Sequence, residues 1–259
     1  MDGAVSPAKP PVGSWDWLTE TGGVLTAKER LALVPSLAGT FGRFSLDRLR
    51  LAVRARPRHG LAAEDLWPAP PDSQLCRHAE QEARDLQSPA VVNHGYRTWV
   101  FGAALAKLDE AMFDPELFHA ASLLHDLGLE HTEPGRCFTR RSGESAEAVA
   151  ERSGLDRAGS LEMMNGIAMH ITPGLRYDDS ALGFYLQAGA MADLAGLRAW
   201  QLPKDLRARA DQAYPRQRVH EVLSRCWHAE AQAVPNGRAH FADKWGGFSR
   251  IVKWFPVAK

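Results

Sequence analysis

Residue types that bind metals interrupt several apolar stretches of this chain. The segment LLHDLGL (residues 123 to 129) places a histidine and an aspartate inside an apolar run, and three other segments contain similar interruptions. An ionised carboxylate that is buried without a partner destabilises a fold strongly. Several such groups can offset one another if they converge on one cation. The candidate residues are His94, His125, Asp126, His170 and Asp193.

These residue types favour a divalent transition metal. Neutral imidazole and carboxylate oxygen are suitable ligands for such ions, and two histidines with two aspartates leave a coordination position open for water. The sequence therefore predicts one divalent transition metal at a catalytic site, with zinc favoured over iron, manganese, cobalt and nickel. Taken singly, each histidine is more easily interpreted as a core residue or a helix-end residue without a metal. Asp193 alone could be a residue near a turn at Gly196.

The elements that must position these residues are helices. Ser88-Pro89 and Asp114-Pro115 each combine an N-cap residue with a proline in the first turn, and Ser180 caps a segment that ends at Gly196. No segment alternates with period two over a sustained run. The sequence therefore predicts an all-α fold, with the candidate residues on four different helices.

Proline-rich stretches and helix-capping residues also predict the domain organisation of the chain. Residues 1–14 are rich in Pro, Gly and Ala and are expected to be disordered, and residues 15–66 form an accessory helical region with two short helices, beginning near Thr26 and Ser45. The proline-rich stretch WPAPPDSQ (residues 67 to 74) is the best linker. Residues 75–259 are then the catalytic core with its C-terminal helices. In that core, an aromatic cluster is expected to pack internally or to cover a pocket, and consists of Trp245, Phe248, Trp254 and Phe255.

Composition excludes some partners and favours one compartment. Lys plus Arg and Asp plus Glu each total 31, so net charge gives no reason to expect nucleic acid or an anionic membrane as a partner. No stretch resembles a signal peptide or approaches the ~18 apolar residues of a membrane span. Three widely spaced cysteines favour free thiols. We expect a cytoplasmic, soluble protein with a small-molecule substrate, and homo-oligomerisation stays open.

The order of these motifs resembles a known superfamily. His94, His125-Asp126 and Asp193 follow the H…HD…D pattern of the HD-domain metal-dependent phosphohydrolases and their relatives. Within that superfamily, NHGYRTWVFG, LLHDLGL, IAMHITPGL and AGAMADLAG are similar to the cyanamide hydratase-like branch, over roughly residues 75 to 200. The resemblance implies an HD-domain helical bundle with accessory N- and C-terminal helices. It also implies that His94, His125, Asp126 and Asp193 are the metal ligands.

The resemblance implies an enzyme that activates water at its metal. The leading hypothesis is a hydratase that adds water to a small nitrile-type substrate, and the alternative is a phosphohydrolase acting on a nucleotide or another phosphoester. Asp126 would ligate the metal and accept a proton from water, and His170 would hydrogen-bond the substrate. Arg97 shares a helix face with His94 and either clamps an anionic group or pairs with an acidic residue. A di-iron oxygenase and a non-catalytic HD module are less favoured.

Two departures from the branch bear on the substrate and on the number of metals. The branch usually has a small hydroxyl residue where this chain has Gly95, and the basic pair Arg140-Arg141 replaces acidic residues in a loop expected to border the pocket. That basic character would suit an anionic or polar substrate better than cyanamide. A second metal would need another histidine, for which only His131 is available, so one metal is favoured. The remaining histidines are expected at the surface, and are His59, His78, His119, His220, His228 and His240.

Overall fold

The computed structural model describes residues 9–53, 55 and 59–254. Within these residues it contains thirteen α-helices, two short 3₁₀ helices and no β-strand, which confirms the all-α prediction. The helices in chain order are α1 (Trp15–Thr21), α2 (Ala27–Ala52), α3 (Ala63–Leu66), α4 (Gln74–Leu86), α5 (Pro89–Leu108), α6 (Pro115–Leu124), α7 (Phe138–Arg152), α8 (Arg157–Met169), α9 (Ala181–Ala195), α10 (Lys204–Ala213), α11 (Val219–Ala233), α12 (Arg238–Gly246) and α13 (Phe248–Trp254).

Helix α5 is the central element of the fold. It begins at Pro89, as the sequence predicts, and is buried on nearly all sides because its residues are apolar around most of the helix circumference. Helices α6 and α9 pack against it, and their starts also agree with the sequence. The Asp114 side chain accepts hydrogen bonds from two backbone N–H groups of α6, and the Ser180 side chain accepts one from Gly183. Gly196 ends α9 in the left-handed conformation.

Glycines allow these helices to approach α5 closely. A Cβ atom on Gly189 of α9 would lie 2.2 Å from the Thr98 carbonyl oxygen of α5, and one on Gly95 of α5 would lie 2.7 Å from the Ser122 carbonyl oxygen of α6. Real Cβ contacts are not this short, so both crossings require glycine. The close approach at Gly95 gives a physical reason for the missing hydroxyl residue at this position.

The N-terminal region differs from the prediction. Residues 27–52 form one continuous helix rather than two short ones, although Pro35, Gly39 and Gly42 lie inside it. A capping box between Thr26 and Glu29 fixes its start. Its main contacts with the rest of the fold are with α12 and with the 3₁₀ helix Ala199–Gln201.

The segment predicted to be disordered, residues 1–14, extends too far along the chain. Residues 1–8 lie outside the described part of the chain, but Gly13 and Ser14 are buried, and Ser14 caps α1. Trp17 and Leu18 of α1 pack in an apolar cluster that also contains Ala168 and Phe241. The N-terminal helix α1 therefore packs directly against the core, although the proline-rich stretch separates the two in sequence.

The C-terminal aromatic residues divide between two environments. Phe248 packs against Trp227, with ring centroids 4.3 Å apart, whereas Trp245 is 64% exposed. The side chain of Trp254 and the whole of Phe255 lie outside the described residues. No helix in the described ranges has the length and apolar composition that crossing a membrane demands. The three cysteines are free thiols, as predicted.

Two histidines expected at the surface are buried. His119 packs in α6 against the edge of Trp99, and His220 lies near the start of α11. Burial lowers the pKa of each imidazole to about 4. The surface prediction was wrong for both residues: His119 lies in the apolar run LFHAA (residues 117 to 121), and His220 lies between Val219 and Glu221, where helices distant in sequence cover it.

Gly189→Ala is expected to destabilise the protein by about 2 kcal/mol, because the new methyl group meets the Thr98 carbonyl oxygen and the overpacking exceeds the gain in helix propensity. Gly42→Ala is the matched control, since a Cβ atom there meets nothing within 4 Å. The control should gain up to about 1 kcal/mol. Urea unfolding of both variants measures the difference, and equal stabilities would contradict the assigned α5–α9 crossing.

Burial of His119 predicts a specific loss of stability in acid. Its pKa falls from 6.5 to about 4 on folding, so the unfolded chain binds the proton more readily between these values. Stability should therefore decrease as the pH is lowered from 6.5 towards 4, by up to about 3 kcal/mol from this residue alone. His119→Gln should remove that part of the pH dependence in urea unfolding. An unchanged pH profile in the variant would show that His119 is solvated.

Candidate metal centre

Four of the predicted residues meet at the ends of three helices. His94 lies in the second turn of α5, His125 and His170 follow the last residues of α6 and α8, and Asp126 follows His125. Each is at least 95% buried. We call these four residues the cluster.

In every cluster histidine, Nδ1 lies on the side facing away from Asp126 and is hydrogen-bonded there. Nδ1 of His125 lies 2.8 Å from the Ser122 carbonyl oxygen, and Nδ1 of His170 lies 2.7 Å from that of Ile167. Both contacts reach three residues back to a carbonyl group that the helix end leaves without an amide partner. A carbonyl oxygen can only accept, so each Nδ1 donates its hydrogen. In the neutral ring, the lone pair is then on Nε2.

The three Nε2 atoms converge on the carboxylate of Asp126. From Asp126 Oδ2, Nε2 of His125 is 3.2 Å away and Nε2 of His94 is 3.7 Å away. Nε2 of His170 lies 3.7 Å from the other oxygen, Oδ1. His125 Nε2 is buried and makes no hydrogen bond with good geometry, although it lies 3.2 Å from Asp126 Oδ2. A buried nitrogen in this position needs either a proton that it shares with the carboxylate or a bound cation.

The potential at the cluster favours a cation. Helices α6 and α8 both direct their carboxyl ends towards it, and helix C-termini carry partial negative charge. Among the described residues, the charged partners of Asp126 are the cluster histidines, with no lysine or arginine. Although burial raises the pKa of Asp126, the neighbouring imidazoles hold it well below its ordinary value, so the carboxylate is ionised. That carboxylate in turn raises the pKa of His125 against the effect of burial.

The predicted ligand Asp193 is not part of the group formed by His94, His125 and Asp126, whose ligand atoms lie within 4.8 Å of one another. Its Oδ2 lies 2.7 Å from Nδ1 of His94 and 2.9 Å from Nη2 of Arg97. Its Oδ1 lies 2.8 Å from Nε of Arg97 and 2.8 Å from Nη1 of Arg216. Each oxygen thus already faces two donor nitrogens, which uses the lone pairs of the carboxylate. Asp193 stands behind His94, on the opposite edge of the imidazole from Asp126.

Asp193 instead fixes the state of His94. An ionised carboxylate accepts, so the His94 Nδ1 donates and the lone pair is left on Nε2, as in the other two histidines. The two arginines keep the pKa of Asp193 well below its ordinary value despite full burial. Burial of His94 lowers the pKa of its ring, which favours the neutral, metal-binding form.

Arg97 pairs with an acidic residue, which is one of its two predicted roles. It is fully buried, grips Asp193 through two nitrogens and donates its third to the Tyr214 carbonyl oxygen. These contacts support a role of Arg97 in holding Asp193, and its catalytic role stays a prediction. Sequence analysis did not single out Arg216, because a charged residue in a loop such as PRQR carries no sequence signal of burial. It also placed His220 at the surface, whereas this histidine lies near Asp193 and its two arginine partners.

The basic pair also has a structural role. Arg140 and Arg141 belong to helix α7, not to a loop, and neither lines the cavity beside the cluster. Arg141 pairs with buried Glu230 at 2.9 Å and donates to the Gly128 carbonyl oxygen, while Arg140 pairs with Glu144. The sequence argument for an anionic substrate therefore loses its basis. His131 is exposed and hydrogen-bonds the Leu86 carbonyl oxygen, away from the cluster.

A cavity of about 530 Å³ leads from the cluster towards the surface. His94, His125, Asp126 and His170 form its buried inner end, and exposed residues of α2 form its outer end. This volume is within the range of small-molecule sites in proteins. The arrangement can hold a cation beside a space large enough for an organic substrate.

Two comparisons of the sequence with known proteins found no relative. No protein-family model matches the sequence, and none of the curated proteins matches it significantly. Within the described residues, the group of ligand atoms suited to a metal consists of His94, His125 and Asp126, which lie within 4.8 Å of one another. A buried group that could hold a metal ion, in an all-α protein, is thus the feature on which a functional assignment must rest.

Asp193→Asn is expected to destabilise the protein by about 3 to 5 kcal/mol, because it leaves two buried arginine contacts without their countercharge. Glu144→Gln is the control: it breaks a partly exposed pair with Arg136 and Arg140, and should cost less than about 1 kcal/mol. Urea unfolding measures both changes. A small effect at Asp193 would mean that solvent reaches the pair.

Proposed function

We propose that this protein is an HD-type metal-dependent hydratase, which adds water to the carbon of a nitrile. The observation that carries the proposal is the convergence of three histidine Nε2 atoms on the Asp126 carboxylate at the inner end of a cavity. Such a group is costly to bury unless a cation compensates it.

The separations between the cluster atoms fit one metal ion. Zinc binds nitrogen and oxygen ligands at about 2.0 to 2.2 Å, so neighbouring ligands of a tetrahedral site lie about 3.3 to 3.6 Å apart. The contacts of Asp126 with the three histidines measure 3.2, 3.7 and 3.7 Å. We propose that His94, His125 and Asp126, whose ligand atoms lie within 4.8 Å of one another, hold the ion and leave the fourth tetrahedral position for water. His170, 3.7 Å from Asp126 Oδ1, lies beside that position, and Asp193 supports His94 from behind.

A divalent ion held by these residues would supply an activated water, since the pKa of bound water falls from about 15.7 to about 7. Asp126 would accept a proton from that water at Oδ1 or Oδ2 and pass it to the nitrile nitrogen. The oxygen of water would bond to the nitrile carbon as one carbon–nitrogen π bond breaks and one proton goes to nitrogen, which gives an imidic acid. The second proton would then move from oxygen to nitrogen as the remaining carbon–nitrogen π bond is replaced by a carbon–oxygen π bond, which gives the amide.

Phosphoester hydrolysis is the second candidate, and Arg43 favours it. This arginine lines the cavity from α2 and has no ion-pair partner among the described residues. The other two arginines of the cavity wall are paired, Arg176 with Asp179 and Arg198 with Asp109. A phosphate beside the cluster would therefore meet no unpaired cation, and a single arginine at the outer end is poorly placed for a reacting phosphorus. The nitrile is preferred for this reason.

The remaining rivals predict different metal contents. A di-iron oxygenase needs at least six protein ligands, whereas the cluster offers four groups. A non-catalytic helical module predicts no bound metal. Both are separated from the hydratase by measuring metal per chain.

His125→Ala and Asp126→Ala are each expected to abolish both metal binding and nitrile hydration while leaving the helical content largely intact. Each variant removes an atom of the cluster without touching the α5–α9 crossing. Elemental analysis of the purified proteins, with circular dichroism as the folding check, measures this. His131→Ala is the control, since that exposed histidine lies away from the cluster, and it should retain one metal per chain.

The same assay tests whether Asp193 is a ligand. Asp193→Asn acts through His94 and should lower metal affinity by about 10- to 100-fold, less than His125→Ala. A loss as complete as that in His125→Ala would restore Asp193 as a ligand. Full activity of the Asp126→Ala variant, or two irons per wild-type chain, would overturn the hydratase.

A further inference from the structure

The wall of the cavity beside the cluster is largely apolar. Away from the cluster, side chains from the 3₁₀ helix after Asp126 and from helices α9 and α11 form much of its surface, and include Leu129, Met191, Leu194, Leu223 and Trp227. Polar groups are few there, and the amide nitrogen of Gln187 is already bound to the carbonyl oxygens of His170 and Thr172. The wall offers contact area to a ligand but few hydrogen bonds.

The volume of the cavity does not suit a very small substrate. Cyanamide has three non-hydrogen atoms, and a water molecule takes up about 30 Å³ of liquid, so cyanamide would leave most of the roughly 530 Å³ unfilled. Ligand sites for drug-sized molecules span about 300 to 1,000 Å³. An apolar body would displace water from the wall and gain binding from the area it buries.

Helix α2 forms the outer part of this cavity and is loosely held. Only Asp47 of its 26 residues is buried, and Pro35, Gly39 and Gly42 in its interior weaken the helix locally. Pro35, Gly39 and Thr40 line the cavity. A bulky molecule can therefore enter by displacement of α2, without rearrangement of the buried helices.

We infer that the substrate is a drug-sized, largely apolar molecule that bears a terminal nitrile, and not cyanamide or another small polar nitrile. The apolar body lies between α2 and the wall formed by α9 and α11, and the nitrile points to the cluster. This inference rests on the proposed hydratase function for its reacting group, and on the cavity alone for its apolar body.

The closing experiment compares two glycines of α2. Gly39 lines the cavity and Gly42 does not, and a Cβ atom at either position meets nothing within 4 Å. Gly39→Trp therefore extends a large side chain into the outer cavity, while Gly42→Trp makes the same substitution outside it. Gly39→Leu is a smaller version that keeps the test usable if the tryptophan disturbs folding, which circular dichroism checks.

Two readouts are taken on each protein with its metal. Binding of n-butylbenzene, which has no reactive group, is measured by isothermal titration calorimetry. Hydration of 4-phenylbutyronitrile and of acetonitrile is measured as kcat/KM. We expect wild type and Gly42→Trp to bind n-butylbenzene and to prefer the larger nitrile by at least about 100-fold, since each methylene in an apolar pocket is worth about 10-fold or more. Gly39→Trp should lose the binding and most of the preference.

The outcomes separate the two proposals. If n-butylbenzene binds and Gly39→Trp blocks it while no nitrile is hydrated, the apolar ligand class stands and the hydratase function fails. If acetonitrile is hydrated as efficiently as 4-phenylbutyronitrile, or n-butylbenzene does not bind, the substrate inference fails while the hydratase stands. Equal binding by the two tryptophan variants also overturns the inference.

Discussion

The carboxylate of Asp193 is the interaction on which the rest of the site depends. It is fully buried and meets one nitrogen of His94 and two arginines, so a single group joins α5, α9 and the segment before α11. Removing one partner from such a buried set is costly because the others keep their charge. The same carboxylate orients the His94 ring and leaves its Nε2 for the cluster. Stability and function therefore share this residue.

The close helix crossings make that arrangement possible. Gly189 lies one turn before Asp193 and rests on the Thr98 carbonyl, one turn after His94. Because these backbones touch, the next turns of the two helices are close enough for the His94–Asp193 hydrogen bond. Gly95 has the corresponding role against α6 and brings His125 beside His94. Three packed helices thus set the cluster distances more tightly than a loop would.

Reactivity and selectivity are assigned to different parts of the molecule. The buried inner end contains the imidazoles, the ionised carboxylate and two helix C-termini, which together favour a cation. The outer part contains apolar side chains and the weakly held α2. In the proposed hydratase, a change in substrate preference can therefore arise in the wall or in α2 while the cluster stays the same. This division is common where a rigid core supports a variable pocket.

The sequence by itself determined the fold class, the starts of α5, α6 and α9, and four of the residues that meet at the cluster, because N-caps, prolines and polar residues in apolar runs are local signals. Only the tertiary structure decided what Asp193 and Arg97 do, since the partners that use their hydrogen-bonding capacity lie about a hundred residues away in sequence. It also decided that α2 is one helix and that His119 is buried. These outcomes depend on packing between distant segments, which no local pattern records.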